Sequence, residues 1–147
     1  MSYNEMSARY TRIPDFSCVP TIDRCMLSST VNKQAGTLKG APELTKESAK
    51  AWIDELQEAY DHVERVYKSG LRRGIPKEVA RFPLPVARYS RMRVSANLRN
   101  WLAFLTLRSA PNAQYEIRQF ANFVGDIIAM EFPRTWDLFI ARIPGRP

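Results

Sequence analysis

Residues 45–70 read TKESAKAWIDELQEAYDHVERVYKSG, and this stretch determines how the middle of the chain folds. Its apolar residues recur at intervals of three and four, which is the spacing of one face of an α-helix. They are Ala49, Trp52, Ile53, Leu56, Tyr60, Val63 and Tyr67. Thr45 can cap the first turn and Gly70 can end the helix. The stretch therefore predicts one long helix that buries a single face.

Shorter helices are predicted on the C-terminal side of this long one. A helix that starts at Gly74–Glu78 carries a proline in its first turn and stops near Arg81, before two further prolines. Asn97 can cap a helix that ends near Arg108 and has an apolar stripe at Leu98, Trp101, Leu102 and Leu105. A third long helix is expected over residues 112–132, with Pro133 stopping it, and a short one over residues 135–143. The inward positions of the helix over residues 112–132 would be Ile117, Phe120, Ala121, Val124, Ile127 and Ile128.

One strand is predicted among these helices. Residues 87–96 alternate, with Ser90, Met92 and Val94 on one face and arginines on the other. A lone strand leaves backbone groups unsatisfied, so it needs a partner. Residues 1–13 read as an ordered polar segment and residues 13–40 as a long loop. The expected fold is α+β: one helix-dominated domain over residues 1–147, whose strand joins a mixed or antiparallel sheet.

The composition fits a globular domain that meets a negatively charged ligand. With 147 residues, 45% hydrophobic and 25% charged, the chain is not a disordered tail. Its net charge of +7 is unevenly distributed: residues 42–64 hold seven acids and two bases, and residues 65–108 hold eleven bases and one acid. Nine of those eleven bases are arginines, whose planar fork matches phosphate and carboxylate oxygens. The stretch predicts a phosphate-binding surface, with a merely solvated basic face as the alternative.

Several classes of protein are not indicated. No apolar run approaches the roughly 18 residues of a spanning helix, and the N-terminus lacks the apolar core of a signal peptide. We expect a cytoplasmic chain with no membrane contact. Cys18, Cys25 and the single His62 cannot build a four-ligand zinc site, so the cysteines are expected to be free thiols and no metal is predicted. A glycine-rich phosphate loop and a Gly-X-Ser-X-Gly elbow are both absent from the sequence.

Five clusters carry a family resemblance. They read SYNEMSARY at 2–10, PKEVAR at 76–81, LP at 84–85, NLR at 97–99 leading to LTLR at 105–108, and AQYEIRQ at 113–119. In order and spacing they closely resemble the flavin-dependent thymidylate synthases. That family reductively methylates dUMP to dTMP with FAD, NADPH and methylenetetrahydrofolate. The resemblance runs from Ser2 to about Trp136 and is weakest between Ile13 and Gly40.

The resemblance implies roles for individual residues. The segment Glu5, Met6, Ser7, Ala8 and Arg9 would wrap dUMP, with Arg9 at the phosphate. Arg81 would be a second dUMP contact. The catalytic residue would be Arg108, which would stabilise negative charge on the pyrimidine ring. Contacts to the flavin would come from Glu5, Asn97, Leu98 and Arg99.

Without the resemblance, plainer interpretations remain open. Asn97 could be only a helix cap, Arg81 only a surface charge and Ser7 only a polar loop residue. Ser7 is not expected to be a nucleophile, because no base stands near it in sequence. A different class of function is also open: a non-catalytic nucleotide- or nucleic-acid-binding protein, in which Tyr67, Tyr89 and Trp101 would stack between the arginines.

The chain departs from the family pattern at its N-terminus. The family signature begins with Arg-His-Arg seven residues before the closing serine, and only six residues precede Ser7 here. Three smaller departures are Ala8 for a glycine, Ala103 for an asparagine and Asn112 for a histidine. We expect the segment before the signature to hold flavin contacts and the strands that pair with residues 87–96. The chain would then be a split, truncated or remnant form, working as a homotetramer or with an N-terminal fragment.

Overall fold

The computed structural model describes residues 1–29 and 35–142. In that part of the chain the elements are β1 (Ser2–Glu5), α1 (Ile22–Met26), α2 (Lys46–Arg72), α3 (Lys77–Ala80), β2 (Met92–Ser95), α4 (Leu98–Arg108), α5 (Tyr115–Glu131) and α6 (Pro133–Ile140). The predicted helix-dominated α+β fold is confirmed. Among these helices, none is long and apolar enough to cross a bilayer.

Contacts group the chain into two compact units. Tyr3–Arg93 form the N-terminal unit, and Met1–Ser2 together with the residues from Val94 onward form the C-terminal unit. The expectation of a single domain over residues 1–147 stays a prediction.

Helix α2 is the longest element of the N-terminal unit and has the predicted cap. The Thr45 hydroxyl accepts a hydrogen bond from the Ser48 amide at 3.1 Å. The buried face includes Ala49 and Tyr67, and α1 and α3 pack against the helix. Thr45 thus specifies where this helix starts, whereas the predicted apolar face is buried only in part, since Trp52 is 50% exposed.

The end of α2 differs from the prediction, since the helix continues through Gly70 to Arg72. The turn that follows places Gly74 at φ 78°, a backbone conformation that side chains disfavour. A Cβ at Gly70 would lie 3.5 Å from the Cβ of Ala80, which is an ordinary van der Waals distance, so the helix passes through this position without strain. Gly74, four residues later, therefore supplies the stop.

The predicted loop over residues 13–40 is wrong at one point, because it contains helix α1. The Thr21 hydroxyl caps this helix by accepting from the Arg24 amide at 3.1 Å. A five-residue helix is too short to show a clear period in sequence, and it is stabilised by packing on α2. Residues 30–34 of the predicted loop lie outside the described residues.

The predicted strand forms, but it is shorter than residues 87–96 and its partner was misplaced. β2 covers Met92–Ser95 and pairs with β1 in a two-stranded sheet. Just beyond the strands, the Met6 amide donates to the Arg91 carbonyl at 2.8 Å, so the end of β1 lies beside the start of β2 and the pair is antiparallel. The expectation that the partner strands lie in a missing segment is wrong for this pair. Before β2, Arg88 also forms an isolated antiparallel bridge with Ser17, which lies outside both strands.

The C-terminal unit is a packed set of three helices. Leu105, Ala121 and Ile128 form its buried cluster, and α4 and α6 both pack on α5. Asn97 caps α4 as predicted, since its side chain accepts from the Asn100 amide at 2.9 Å. Pro133 ends α5 as predicted and also opens α6, where a proline in the first turn loses no hydrogen bond.

Helix α5 has a second, exposed apolar stripe, and two of its residues were predicted to face inward. Phe120 and Ile127 are exposed, and with Phe123 and Met130 they form a stripe at spacings of three and four. The buried face of the same helix is instead made by Ala121, Gly125 and Ile128. Both stripes have helical periodicity, so the pattern alone could not say which one this chain covers.

Leu105 should be the most costly single truncation in the C-terminal unit. Its side chain is 1% exposed, so Leu105→Ala leaves a cavity and should lower the free energy of unfolding by about 2–5 kcal/mol. Leu107 on the same helix is 68% exposed, and Leu107→Ala should change stability by less than about 0.5 kcal/mol. Urea unfolding followed by circular dichroism measures both, and equal losses would contradict the observed packing.

Candidate functional site

The segment that follows β1 is anchored on the residues that precede β2. The Met6 amide donates to the Arg91 carbonyl, and the Ser90 hydroxyl donates to the Met6 carbonyl at 3.1 Å. The chain then turns tightly, because the amides of Tyr10 and Thr11 both donate to the Ser7 carbonyl at 3.1 Å. This Ser7–Thr11 turn holds three of the predicted dUMP-binding residues, Ser7, Ala8 and Arg9, while Glu5 ends β1 with an exposed side chain.

Arg9 is fixed within the Ser7–Thr11 turn. Its amide lies 3.3 Å and its Nε 3.5 Å from the Ser7 hydroxyl oxygen, which accepts from both. The guanidinium carbon lies 5.4 Å from the centre of the Tyr10 ring. Ala8 is buried between these residues. Ser7 therefore orients a cation, and since that cation cannot accept a proton, the geometry gives Ser7 no base.

The Ser7–Thr11 turn and the start of α3 line an open surface cavity of about 300 Å³, referred to below as the Arg9 cavity. Its lining consists of Arg9, Tyr10, Pro76, Lys77 and Glu78. Lys77 Nζ donates to the Tyr10 carbonyl at 3.2 Å and so joins the two parts. We did not single out Lys77 from the sequence. The available signal was its place in the same PKEVAR string as Arg81.

Arg81 is not among the residues that line the Arg9 cavity. It caps the C-terminus of α3, and its Nε lies 3.4 Å from the Glu78 carbonyl. The side chain is exposed, so the structure places it on the same short helix as Lys77 without bringing it to Arg9. Its role as a dUMP contact stays a prediction.

The remaining predicted residues lie in the C-terminal unit, on α4. The side chains of Arg99 and Arg108 are both exposed, and neither makes a hydrogen bond or ion pair with a described residue. They stand nine positions apart, which on an α-helix means opposite faces and a rise of about 14 Å. The two guanidiniums therefore cannot converge on one small group. This spacing suits the predicted division, in which Arg99 meets the flavin and Arg108 the pyrimidine.

The other two flavin candidates have structural duties as well. The side-chain oxygen of Asn97 is occupied by the helix cap, which leaves its Nδ2 as a donor. Leu98 packs against the Leu105 cluster, so its side chain belongs to the core. Free donors at Asn97 and Arg99 fit the acceptor atoms of a flavin nucleotide.

Four charged side chains connect three segments of the N-terminal unit. They are Asp15, Glu64, Lys68 and Arg88. Arg88 and Glu64 are 6% and 12% exposed, and their closest atoms are 2.5 Å apart. Asp15 lies 3.5 Å from Arg88 and also bonds Lys68. The hydrogen bond from Lys68 lowers the pKa of Asp15, and the same contact raises the pKa of Lys68. Arg91 lies three positions after Arg88, so this network holds the segment to which Met6, the residue before the turn, is hydrogen-bonded.

The aromatic residues between the arginines do not form a stacking surface. Tyr67 is fully buried, and Trp101 packs against the Leu105 cluster. The ring of Tyr89 lies against Phe16, with centroids 4.8 Å apart. Bases of a nucleic acid need exposed rings for stacking, and two of the three candidates are committed to packing. Cys18 and Cys25 are free thiols, as expected.

Comparison with protein families gives one match that covers most of the chain. The family model described as thymidylate synthase complementing protein matches residues 1–134. Flavin-dependent thymidylate synthases from Thermosipho africanus and Thermus thermophilus are 31% and 36% identical over 139 residues. A Dictyostelium discoideum relative of the same description is 33% identical. These matches cover 93–95% of this chain but 44–58% of the relatives, so the chain spans about half of their length.

Solved structures with the same fold include a nucleotide-bound enzyme. A UMP/dUMP methylase from Streptomyces cacaoi, bound with 5-Br UMP, superposes with a TM-score of 0.83 at 27% identity. The match covers 99% of this chain and 66% of that one. The same methylase bound with 5-Br dUMP superposes with a TM-score of 0.80.

The Arg88–Glu64 pair should be strongly coupled. Arg88→Met leaves the Glu64 carboxylate largely buried beside Lys68 alone, and the unfolding free energy should fall by about 3 kcal/mol. The double variant Arg88→Met with Glu64→Met should recover most of that loss, because no buried charge then lacks a partner. Exposed Arg91 provides the control, with Arg91→Met expected within about 0.5 kcal/mol of the parent. Additive losses in the double variant would show that the pair is not coupled.

Asp15 should give the protein an acid-sensitive component of stability. Its folded pKa lies below the ordinary 3.8, so its contribution is complete above that value and is lost as the pH falls through the folded pKa. Lys68→Met removes the main cause and should flatten the loss of stability between about pH 4 and about pH 2. Urea midpoints across this range measure the slope. Lys50→Met, which breaks the exposed pair with Asp54, should leave the slope as in the parent.

Proposed function

Because the chain belongs to the thymidylate synthase complementing protein family, we propose that it forms the nucleotide-binding part of a flavin-dependent thymidylate synthase. The reaction is the reductive methylation of dUMP to dTMP, with methylenetetrahydrofolate as the one-carbon donor and NADPH as the reductant. The main support for the proposal is the position of Arg9. This residue belongs to the family signature, lies in the tight Ser7–Thr11 turn and lines the Arg9 cavity.

Arg9 binds the nucleotide's phosphate in this proposal. Ser7 occupies the Nε side of the guanidinium, while the terminal nitrogens make no hydrogen bond to a described residue. A guanidinium held in this way can donate two parallel hydrogen bonds to a phosphate without first losing side-chain freedom. Arg81 adds a second guanidinium, which must leave its position beside the Glu78 carbonyl to reach the phosphate.

Arg108 acts on the base. Methylation at C5 requires electron density on the pyrimidine ring, and a fixed cation stabilises the negative charge that develops there. Its side chain makes no ion pair with a described residue, so its full charge is available to the ring.

Asn97 and Arg99 hold the flavin from the first turn of α4. The Nδ2 of Asn97 and the guanidinium of Arg99 are the donors that remain after the helix cap is formed. Bound FAD supplies hydride transfer from the reduced nicotinamide, which is chemistry that these side chains cannot perform. Glu5, exposed at the end of β1, is the acidic residue proposed between the two ligands.

The proposal also includes an assembly with further polypeptide. The relatives are about twice as long, and α5 carries the exposed apolar stripe Phe120, Phe123, Ile127 and Met130. Exposed apolar surface of this kind is typical of protein interfaces. We assign it to assembly, either as a homotetramer or with an N-terminal fragment that carries the Arg-His-Arg segment.

Direct binding of nucleotide tests the proposal. Titration calorimetry of the full chain should detect dUMP, and Arg9→Gln should weaken it about tenfold to a hundredfold, because hydrogen bonds to charged groups contribute about 1.5–3 kcal/mol. Arg72→Gln, which removes an equally exposed arginine from the end of α2, is the matched control. UMP belongs in the same titration, since the related methylase is described as a UMP/dUMP enzyme.

Turnover is the second stage of this test. The chain mixed with FAD and a separately produced N-terminal fragment should form dTMP from dUMP, and Arg108→Gln should abolish the product while dUMP still binds. A parent chain that shows no heat with dUMP and forms no dTMP in the mixture would overturn the proposal.

A further inference from the structure

Lys77 connects two distant parts of the sequence at the Arg9 cavity. Its ammonium donates to the Tyr10 carbonyl at 3.2 Å, although 67 positions separate the two residues. The donor belongs to α3 and the acceptor to the Ser7–Thr11 turn, so this one hydrogen bond joins the two walls of the cavity. The family resemblance assigned no role to this lysine, and the charge pattern included it only as one of the eleven bases of residues 65–108.

The contact leaves most of the binding capacity of Lys77 unused. An ammonium has three donors, and the Tyr10 carbonyl takes one of them. Lys77 forms no ion pair with an acidic side chain among the described residues, and Glu78 is the carboxylate that lines the cavity with it. A hydrogen bond to a carbonyl needs only a neutral donor, so the charge of Lys77 is not explained by that tie.

Arg9 and Lys77 therefore present two cations to one small cavity. A nucleoside monophosphate near neutral pH is close to a dianion, and two cations that line one cavity can balance its charge. We propose that the Arg9 cavity is the phosphate subsite, in which Lys77 both binds the phosphate and positions the turn that carries Arg9. This inference rests on the proposed function and adds a residue to its binding site.

The test compares two ligands that differ only in the phosphate. Calorimetric titrations of dUMP and deoxyuridine are made with the parent, Lys77→Arg, Lys77→Gln and Lys77→Met. Lys77→Met should weaken dUMP about tenfold and deoxyuridine less than twofold. Lys77→Gln keeps a donor for the Tyr10 carbonyl but has no charge, so it should also weaken dUMP severalfold, whereas Lys77→Arg should stay within about twofold of the parent.

Two further variants separate this role from a general effect of charge or folding. Lys50→Met removes a lysine that pairs with Asp54 on α2 and should leave both affinities as in the parent. Glu78→Gln removes the carboxylate that lines the cavity and should tighten dUMP about twofold, because a like charge no longer repels the phosphate. Effects of opposite sign at adjacent residues are not produced by loss of structure.

The outcomes distinguish the inference from the proposed function. Equal affinities of the parent and Lys77→Met for dUMP would overturn the inference while leaving the proposed function intact. An equal loss for dUMP and deoxyuridine would overturn it too, since Lys77 would then be only a structural tie. A parent chain that binds neither ligand would overturn the proposed function and the inference together.

Discussion

The ion pair between Arg88 and Glu64 is the constraint on which the position of the Ser7–Thr11 turn depends. It fixes residues 87–91 on α2, and that segment in turn accepts the Met6 amide and places the Ser90 hydroxyl on the Met6 carbonyl. A buried ion pair contributes little net stability, because desolvation offsets the attraction. The pair instead determines position: because Glu64 is fixed on α2, it specifies where residues 87–91 pack against that helix. The position of the turn that carries Arg9 thus depends on the Arg88–Glu64 pair.

Local sequence was sufficient where local forces determine the structure. The start of α2, the Asn97 cap and the stop at Pro133 follow from side chains within a few residues of the backbone groups that they satisfy. The residues of the Ser7–Thr11 turn could be named in advance, because the signature is a continuous string. Helix and motif predictions therefore agree well with the structure in these regions.

The failures share a different physical cause, which is long-range pairing. β1 reads SYNE, with no apolar alternation, and becomes a strand because β2 offers it backbone partners. Lys77 gained a role through a carbonyl 67 positions away, and Arg88 through a carboxylate 24 positions away. Helix α5 shows the same limit, since the periodicity of Phe120 and Ile127 could not reveal which stripe would be covered. A pattern within a few consecutive residues cannot reveal which distant residues will pair or which helix face will be covered.

Helix α4 has a consequence for how such a chain can vary. With Arg99 and Arg108 on opposite faces, the helix would set the distance between the two ligand contacts proposed for them, and its buried side carries Leu105. Substitutions on its outer surface change neither the distance nor the direction between the arginines. An insertion or deletion of one residue between them would rotate one guanidinium by about 100° and move it by about 1.5 Å relative to the other. The proposed roles therefore constrain the number of residues between Arg99 and Arg108 more than they constrain which residues these are.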